Sequence, residues 1–253
     1  MSKGPFYAPT AQNSFMAALR KLGWPEVDDM QRFGATNGAM RALRYVSPDG
    51  VRSDAAHAYL HPLLRDGEHP NLHVVVNTVV HRVVFENKRA VGILCAPKTS
   101  PDDASTKAAE PRTIKARRMV VMSAGACGTP LILERSGVGN ADILNRAGVP
   151  AVADVPGVGS DFQDHQLLVY PYKSNLAPEE TADRLMTGGM EVVTEMMQKG
   201  EKILGWNAQD VTCKLRPNEE DIAAMGPKFK EAWDRHFRDV PDKPLTLMSL
   251  IGG

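Results

Sequence analysis

The sequence predicts an α/β protein: part of a parallel sheet with a β-meander, then a smaller α+β region built on an antiparallel sheet. Three observations lead there. The apolar run "MVVM" (119–122) feeds directly into a glycine-rich turn and a short helix, "SAGACGTPLILERSGVG" (123–139). A turn of this kind at the carboxyl end of a strand is where open α/β sheets hold ligands. The stretch "NLHVVVNTVVHRVVFENKRAVGILCAP" (71–97) is dense in β-branched residues, as strands are. Beyond about residue 166 the texture changes to helical segments separated by short alternating strands.

Taken in order, "TAQNSFMAALRKLGWP" predicts a helix from about residue 10 to Leu22, stopped by Gly23 and Pro25. "RSDAAHAYLHPLLRDG" (52–67) predicts a second helix, kinked or ended near Pro62. Strands are expected at about 72–76, 79–85 and 89–95, the last two joined by a turn at Glu86-Asn87-Lys88. Residues 97–111 are polar and hold three prolines, the signature of a loop. "TIKARRMVVMSAG" returns to extended chain. In the helix that follows, Thr129 suits the N-cap, Pro130 the first helical position and Gly137 the left-handed stop. "NADILNRAGVP" (140–150) reads as a short helix and "VADVPGVGSDFQDH" (152–165) as irregular chain. "QLLVYPYK" (166–173), "DVTCKLRP" (210–217) and "KPLTLMSLIGG" (243–253) are strand candidates. Residues 178–205 are helical with a break at Gly188-Gly189, and 218–239 give one or two further helices. The expected division is 1–165 and 166–253, and no internal repeat is present.

Composition narrows the function classes. The chain has 253 residues, 43% of them hydrophobic, enough for a packed core. Basic and acidic residues balance at 30 each, so nothing calls for nucleic acid or a membrane surface as partner. Cys95, Cys127 and Cys213 are odd in number and widely spaced, which argues against a disulfide framework or a zinc site and for a reducing compartment. Neither a signal-peptide core, a membrane span nor a peroxisomal tripeptide is expected in these residues.

The motifs carry the reading further. "TPLILERSGVG" resembles the second sequence motif of the glucose–methanol–choline (GMC) flavin oxidoreductases, a Ser/Thr-Pro pair before a short apolar helix ending in Ser-Gly-x-Gly. "GVRSDAAHAYLHP", "NLHVVVNTVVHRVVFENKRAVGI" and "LNRAGVPAVADVPGVGSDFQDH" resemble other segments of that family, in its order. "LGWPEVDDMQ", "FQDHQLLVYPY" and "DKPLTLMSLIGG" turn the resemblance toward its fungal alcohol oxidase branch. It implies FAD as cofactor, a small primary alcohol as substrate, hydride transfer to flavin N5 and O2 as electron acceptor. It also implies an intracellular parent protein, peroxisomal or cytoplasmic, and homo-oligomeric assembly of that parent. The 253 residues contain no G-x-G-x-x-G turn to hold the FAD pyrophosphate. The resemblance therefore makes the chain a middle section: residues 1–165 part of the FAD-binding domain and 166–253 part of the substrate domain. A non-catalytic binding protein derived from such an oxidase is the competing class.

Candidate cofactor-binding residues follow from the same resemblance. Val80 falls where the family's main chain meets the adenine; as a residue it equally suits a strand core. Ser123, Ala124 and Gly125 end an expected parallel strand, where small side chains allow either close approach of a ligand or tight strand–helix packing. Asp164 and His165 invite an acid/base reading, but neighbours in extended chain point apart. The resemblance makes them part of a loop beside the flavin. No catalytic residue is assigned, because the family's catalytic histidine belongs to a later segment. His57 and His61 are four apart, a spacing that suits a metal, yet Ala58 stands where the HExxH motif has glutamate, so the pair is read as structural and no metal is assigned. Met186, Met190, Met196 and Met197 are read as flexible core filler.

Overall fold

The computed structural model describes residues 2–98 and 110–252. The chain divides into two compact units, one formed by residues 1–69 with 171–253 and the other by 70–170. Most of the expected loop at 97–111 lies outside the described residues. The first unit opens with helix α1 (Pro9–Lys21), where Gln12, Met16 and Leu19 are buried at the i, i+4, i+7 spacing of one helical face. Gly23, with φ +89°, follows its end. Strand β1 (Gly38–Arg41) comes next. A π-helical turn (Ala56–Leu60) then runs into α2 (His61–Arg65), so the expected helix around Pro62 forms with Pro62 in its first turn.

The second unit is built on a meander: β2 (Thr78–Glu86), β3 (Arg89–Pro97) and β4 (Arg112–Lys115), all antiparallel. Asn87 and Lys88 both take positive φ, 49° and 63°, closing the β2–β3 hairpin at the expected turn. Two consecutive left-handed residues match the right-handed twist of the strands they join. Gly92 on β3 is required by packing: a Cβ there would lie 2.5 Å from the Ile114 carbonyl oxygen of β4. Helix α3 (Gly125–Arg135) packs on β2. Ser136, buried just past its end, accepts the Val83 N–H at 2.8 Å and so ties helix to meander. Then follow β5 (Val138–Gly139), α4 (Ala141–Arg146, capped by the Asn140 side chain) and β6 (Ala153–Asp154). β5 and β6 are parallel.

Three sequence expectations fail in this unit. Residues 72–76 and 119–123 are not strands, although both are apolar and β-branched; a strand exists only with a hydrogen-bonded neighbour, and these stretches pair with no described strand. Among the described strands of this unit, parallel pairing is thus confined to β5 and β6. Residues 166–173 form no strand either. Helix α3 starts at Gly125, one turn earlier than expected, with Pro130 inside it. Pro130, the sixth residue of α3, lacks the N–H that would bond the Ala126 carbonyl, and Thr129 serves the entry differently, its Oγ1 accepting the Ala124 N–H at 2.9 Å.

The chain then returns to the first unit with α5 (Asp183–Thr187), α6 (Gly189–Gln198), β7 (Gln209–Leu215), α7 (Glu219–Ala224), α8 (Pro227–His236) and β8 (Thr246–Ile251). β7 is the centre of an antiparallel sheet ordered β1-β7-β8. Its alternation buries Val211, Cys213 and Leu215 against Met16, Leu19 and Ala39. A second cluster gathers Ala8, Ala182, Met196, Ile203 and Trp206. Of the four methionines read as core filler, only Met196 is buried; Met186 of α5 and Met190 and Met197 of α6 are exposed. The pairing of β1 with β7 places residues 1–69 with the carboxyl-terminal part, whereas the expected division kept them with 70–165. β1 itself, four residues of Gly-Ala-Met-Arg, shows no alternation that would announce a strand.

An ion pair anchors this unit. Arg44 and Asp210 have side chains only 2% exposed, and the guanidinium bonds the carboxylate directly. The Arg44 side chain also reaches the Phe6 and Gln209 carbonyls and Asn207 Oδ1. Asp210 in turn accepts the Ala8 N–H at 2.8 Å and Trp206 Nε1–H at 2.9 Å. Every hydrogen-bonding face of the pair is used, which is what lets two charges sit in a core.

Candidate functional site

The sequence places its cofactor-binding candidates in the second unit, at three points. Val80 lies on β2, paired with Cys95 of β3 just before an irregularity in the β2 register. Ser123, Ala124 and Gly125 form the entry to α3, and all three are exposed. Gly125 has φ +82°, and a Cβ built on it would meet nothing within 4 Å. The backbone there is open to solvent in a conformation that favours glycine. No side chain caps this end of α3, so the first-turn N–H groups face outward with the positive end of the helix dipole. Asp164 and His165 lie apart from these, on an exposed stretch without secondary structure. Asp164 Oδ1 accepts the main-chain N–H of His165 at 2.8 Å. The carboxylate is used on its neighbour's backbone, not on its imidazole, which fits a loop-shaping role.

Helix α3 and β2 are neighbouring elements joined through Ser136, at the opposite end of the helix from its entry, while Asp164 and His165 are not hydrogen-bonded to either among the described residues. For a flavin nucleotide, the fit is partial. The uncapped α3 entry offers backbone donors, small side chains and open space, and β2 offers an exposed strand face. A cradle for a doubly charged pyrophosphate is not formed by the described residues. Carboxylates held below their usual range lie in the first unit. The backbone N–H and then the side chain of His57 lower Asp54, and Arg20 lowers Glu26 through a hydrogen bond. The Cys213 thiol is pushed up to about 11 by burial, and is a core residue, not a nucleophile. Sequence reasoning missed Ser136, which reads as a helix-terminal residue and acts as the bridge between meander and helix.

The sequence profile of the GMC oxidoreductases matches residues 2–167, and the chain belongs to that family. Its members are FAD-dependent oxidoreductases acting on CH–OH donors, and FAD is the cofactor of the fold. Among relatives, the chain is 34% identical to the alcohol oxidase of Candida boidinii over 258 aligned residues, and 33% identical to alcohol oxidase 1 of Komagataella phaffii over 259. Both alignments cover 100% of this chain but only 38% of the yeast enzymes, so it spans less than half the length of the curated relatives it matches. The fold agrees with a crystal structure of formate oxidase at a TM-score of 0.74, covering 99% of this chain and 42% of that one at 16% identity. The mix of helices and sheets expected from sequence agrees with this likeness, although the three-stranded sheets are antiparallel.

Proposed function

We propose that residues 1–253 act as a section of an FAD-dependent alcohol oxidase that converts a primary alcohol to an aldehyde. The observation that supports this is the match to yeast alcohol oxidases along the whole chain. FAD, when bound, takes hydride from the alcohol carbon at N5 and passes the electrons to O2, giving H2O2. In this reading the chain's own residues bind and orient. The main chain at Val80 lies beside the adenine, and the α3 entry at Ser123, Ala124 and Gly125 closes against the nucleotide without side-chain interference. Asp164 and His165 shape the loop at the flavin, and residues 166–253 belong to the substrate domain. None of the seven histidines is assigned the proton transfer. The parent enzyme is intracellular and homo-oligomeric in this proposal; among the described residues no helix is long and apolar enough to cross a membrane.

The test is to replace the matching segment of the Candida boidinii enzyme with residues 1–253. A yellow chimera that releases peroxide from methanol or ethanol supports the proposal. A folded chimera that binds FAD but oxidises neither these nor an aryl alcohol overturns the substrate class. The isolated chain is expected to bind FAD weakly, because first-turn amides at one helix entry do not replace the missing glycine turn. Stoichiometric sub-micromolar quenching of FAD fluorescence by residues 1–253 would contradict that part of the reading.

A further inference from the structure

We infer that His57 and His61 form a chelating site for a divalent transition ion of the imidazole-preferring class, such as Ni2+ or Zn2+. The absence of a glutamate between them removes a metalloprotease motif, but not a chelate. Their rings are 4.8 Å apart, centroid to centroid, at 75°. Two imidazoles bound to one ion at ~2.0–2.1 Å per nitrogen, with a near-tetrahedral angle, have centroids about 5 Å apart. The observed pair already stands at that spacing.

Three further features point to a ligand. His57 Nδ1 lies 2.8 Å from Asp54 Oδ1, and the same carboxylate accepts the His57 main-chain N–H at 2.8 Å. An ionised Asp54 makes Nδ1 the protonated nitrogen and leaves the Nε2 lone pair for a metal, the carboxylate–histidine arrangement that supports metal-bound imidazoles. Next, His61 Nδ1 is the one buried side-chain polar atom without a hydrogen-bond partner among the described residues. Such groups are rare, and each asks for a reason. His61 Nδ1 is therefore not engaged by the protein's own hydrogen bonds. Finally, His57 lies within the π-helical turn Ala56–Leu60 and His61 directly follows it, a local departure that recurs at functional positions.

No three His, Cys, Asp or Glu side chains converge among the described residues, so the protein supplies two ligands and water completes the shell. An open, water-filled shell of this kind favours the ions late in the first-row series, which bind nitrogen most strongly. The chelate would join the π-helical turn to α2 across the Leu60-His61 junction.

Calorimetric titration of purified residues 1–253 with NiCl2, and separately with ZnCl2, tests the site. One equivalent is expected to bind. His57→Ala and His61→Ala should each weaken the affinity at least tenfold, and Asp54→Asn by about 10–100-fold. His69→Ala, which removes the similar Asp66–His69 pair, should change nothing. Far-UV circular dichroism of each variant verifies that the helix persists. As a second measurement, Ni2+ should selectively broaden the imidazole resonances of His57 and His61. Binding that is undiminished in both His57→Ala and His61→Ala, broadening centred on other histidines, or no binding below millimolar ion overturns the proposal.

Discussion

Asp210→Ala should collapse the first unit while leaving the second intact. The substitution strands a guanidinium whose side chain is 2% exposed and removes the acceptor for the Ala8 and Trp206 N–H groups. Deleting one partner of a buried ion pair costs about 3–5 kcal/mol. Against a typical net stability of ~5–15 kcal/mol, that is a large share. For a unit of this size each kcal/mol moves the midpoint by roughly 2–4 °C, so the melt should fall by about 6–20 °C. Asp210→Asn, which keeps an acceptor oxygen for the two N–H groups, should lose less. The assay is tryptophan fluorescence during heating, because Trp24, Trp206 and Trp233 all lie within the first unit and report on it alone. Cys95, buried in β3, reports on the other unit through its labelling rate. A midpoint within about 2 °C of the unmodified chain would refute the argument that this pair anchors the core. So would accelerated labelling of Cys95 with an unchanged tryptophan melt.

Further expectations concern the second unit and the thiols. Ser136→Ala leaves the buried Val83 N–H without its 2.8 Å acceptor and should cost about 1–3 kcal/mol, read as faster Cys95 labelling under mild urea. Gly137→Ala should be worse, since a Cβ there would lie 2.3 Å from the Pro150 carbonyl oxygen and φ is +82°; failure to destabilise would mean that the α3–β5 corner rebuilds. In the folded chain one thiol of three, exposed Cys127, should react with a thiol reagent at pH 8, while Cys95 and Cys213 wait for unfolding. Amides at 72–76 and 119–123 should exchange with solvent rapidly, and the chain should self-associate, because Val75, Val76, Met119 and Val121 are exposed on backbone without a partner strand. Slow exchange there would mean that these stretches find partners in solution.

What the sequence disclosed depended on the range of the forces involved. Local signals were legible: the Asn87-Lys88 hairpin turn, the stop at Gly137, and the break at Gly188-Gly189 between α5 and α6. Each is decided by the conformational preferences of a few adjacent residues. Residues 72–76 and 119–123 carry every local mark of a strand, but a strand is a property of two segments, and the second was not supplied by any described residue. β1 shows the converse: Gly38–Arg41 has little intrinsic strand character and is extended because β7 pairs with it from about 170 positions away. At the candidate site, the motif placed the start of α3 at Thr129-Pro130, whereas the helix begins at Gly125. The role of Thr129 emerged only with its bond to Ala124. His61 was visible as a spacing, whereas its orphaned nitrogen is a matter of burial that no spacing reveals.

The interleaving of the two units has a consequence for how the chain is made. Residues 70–170 emerge from the ribosome between the two halves of the first unit and own all the partners of their meander, so they can fold as they appear. β1 must wait for β7, which is synthesised some 170 residues later. At ~5–20 residues per second that interval is about 10–35 seconds. Throughout it α1 and β1 expose Met16, Leu19 and Ala39 with no Val211 or Cys213 to cover them. The nascent amino-terminal segment is therefore a natural client for a holding chaperone, and slow codons placed after residue 69 would lengthen its vulnerability, not relieve it.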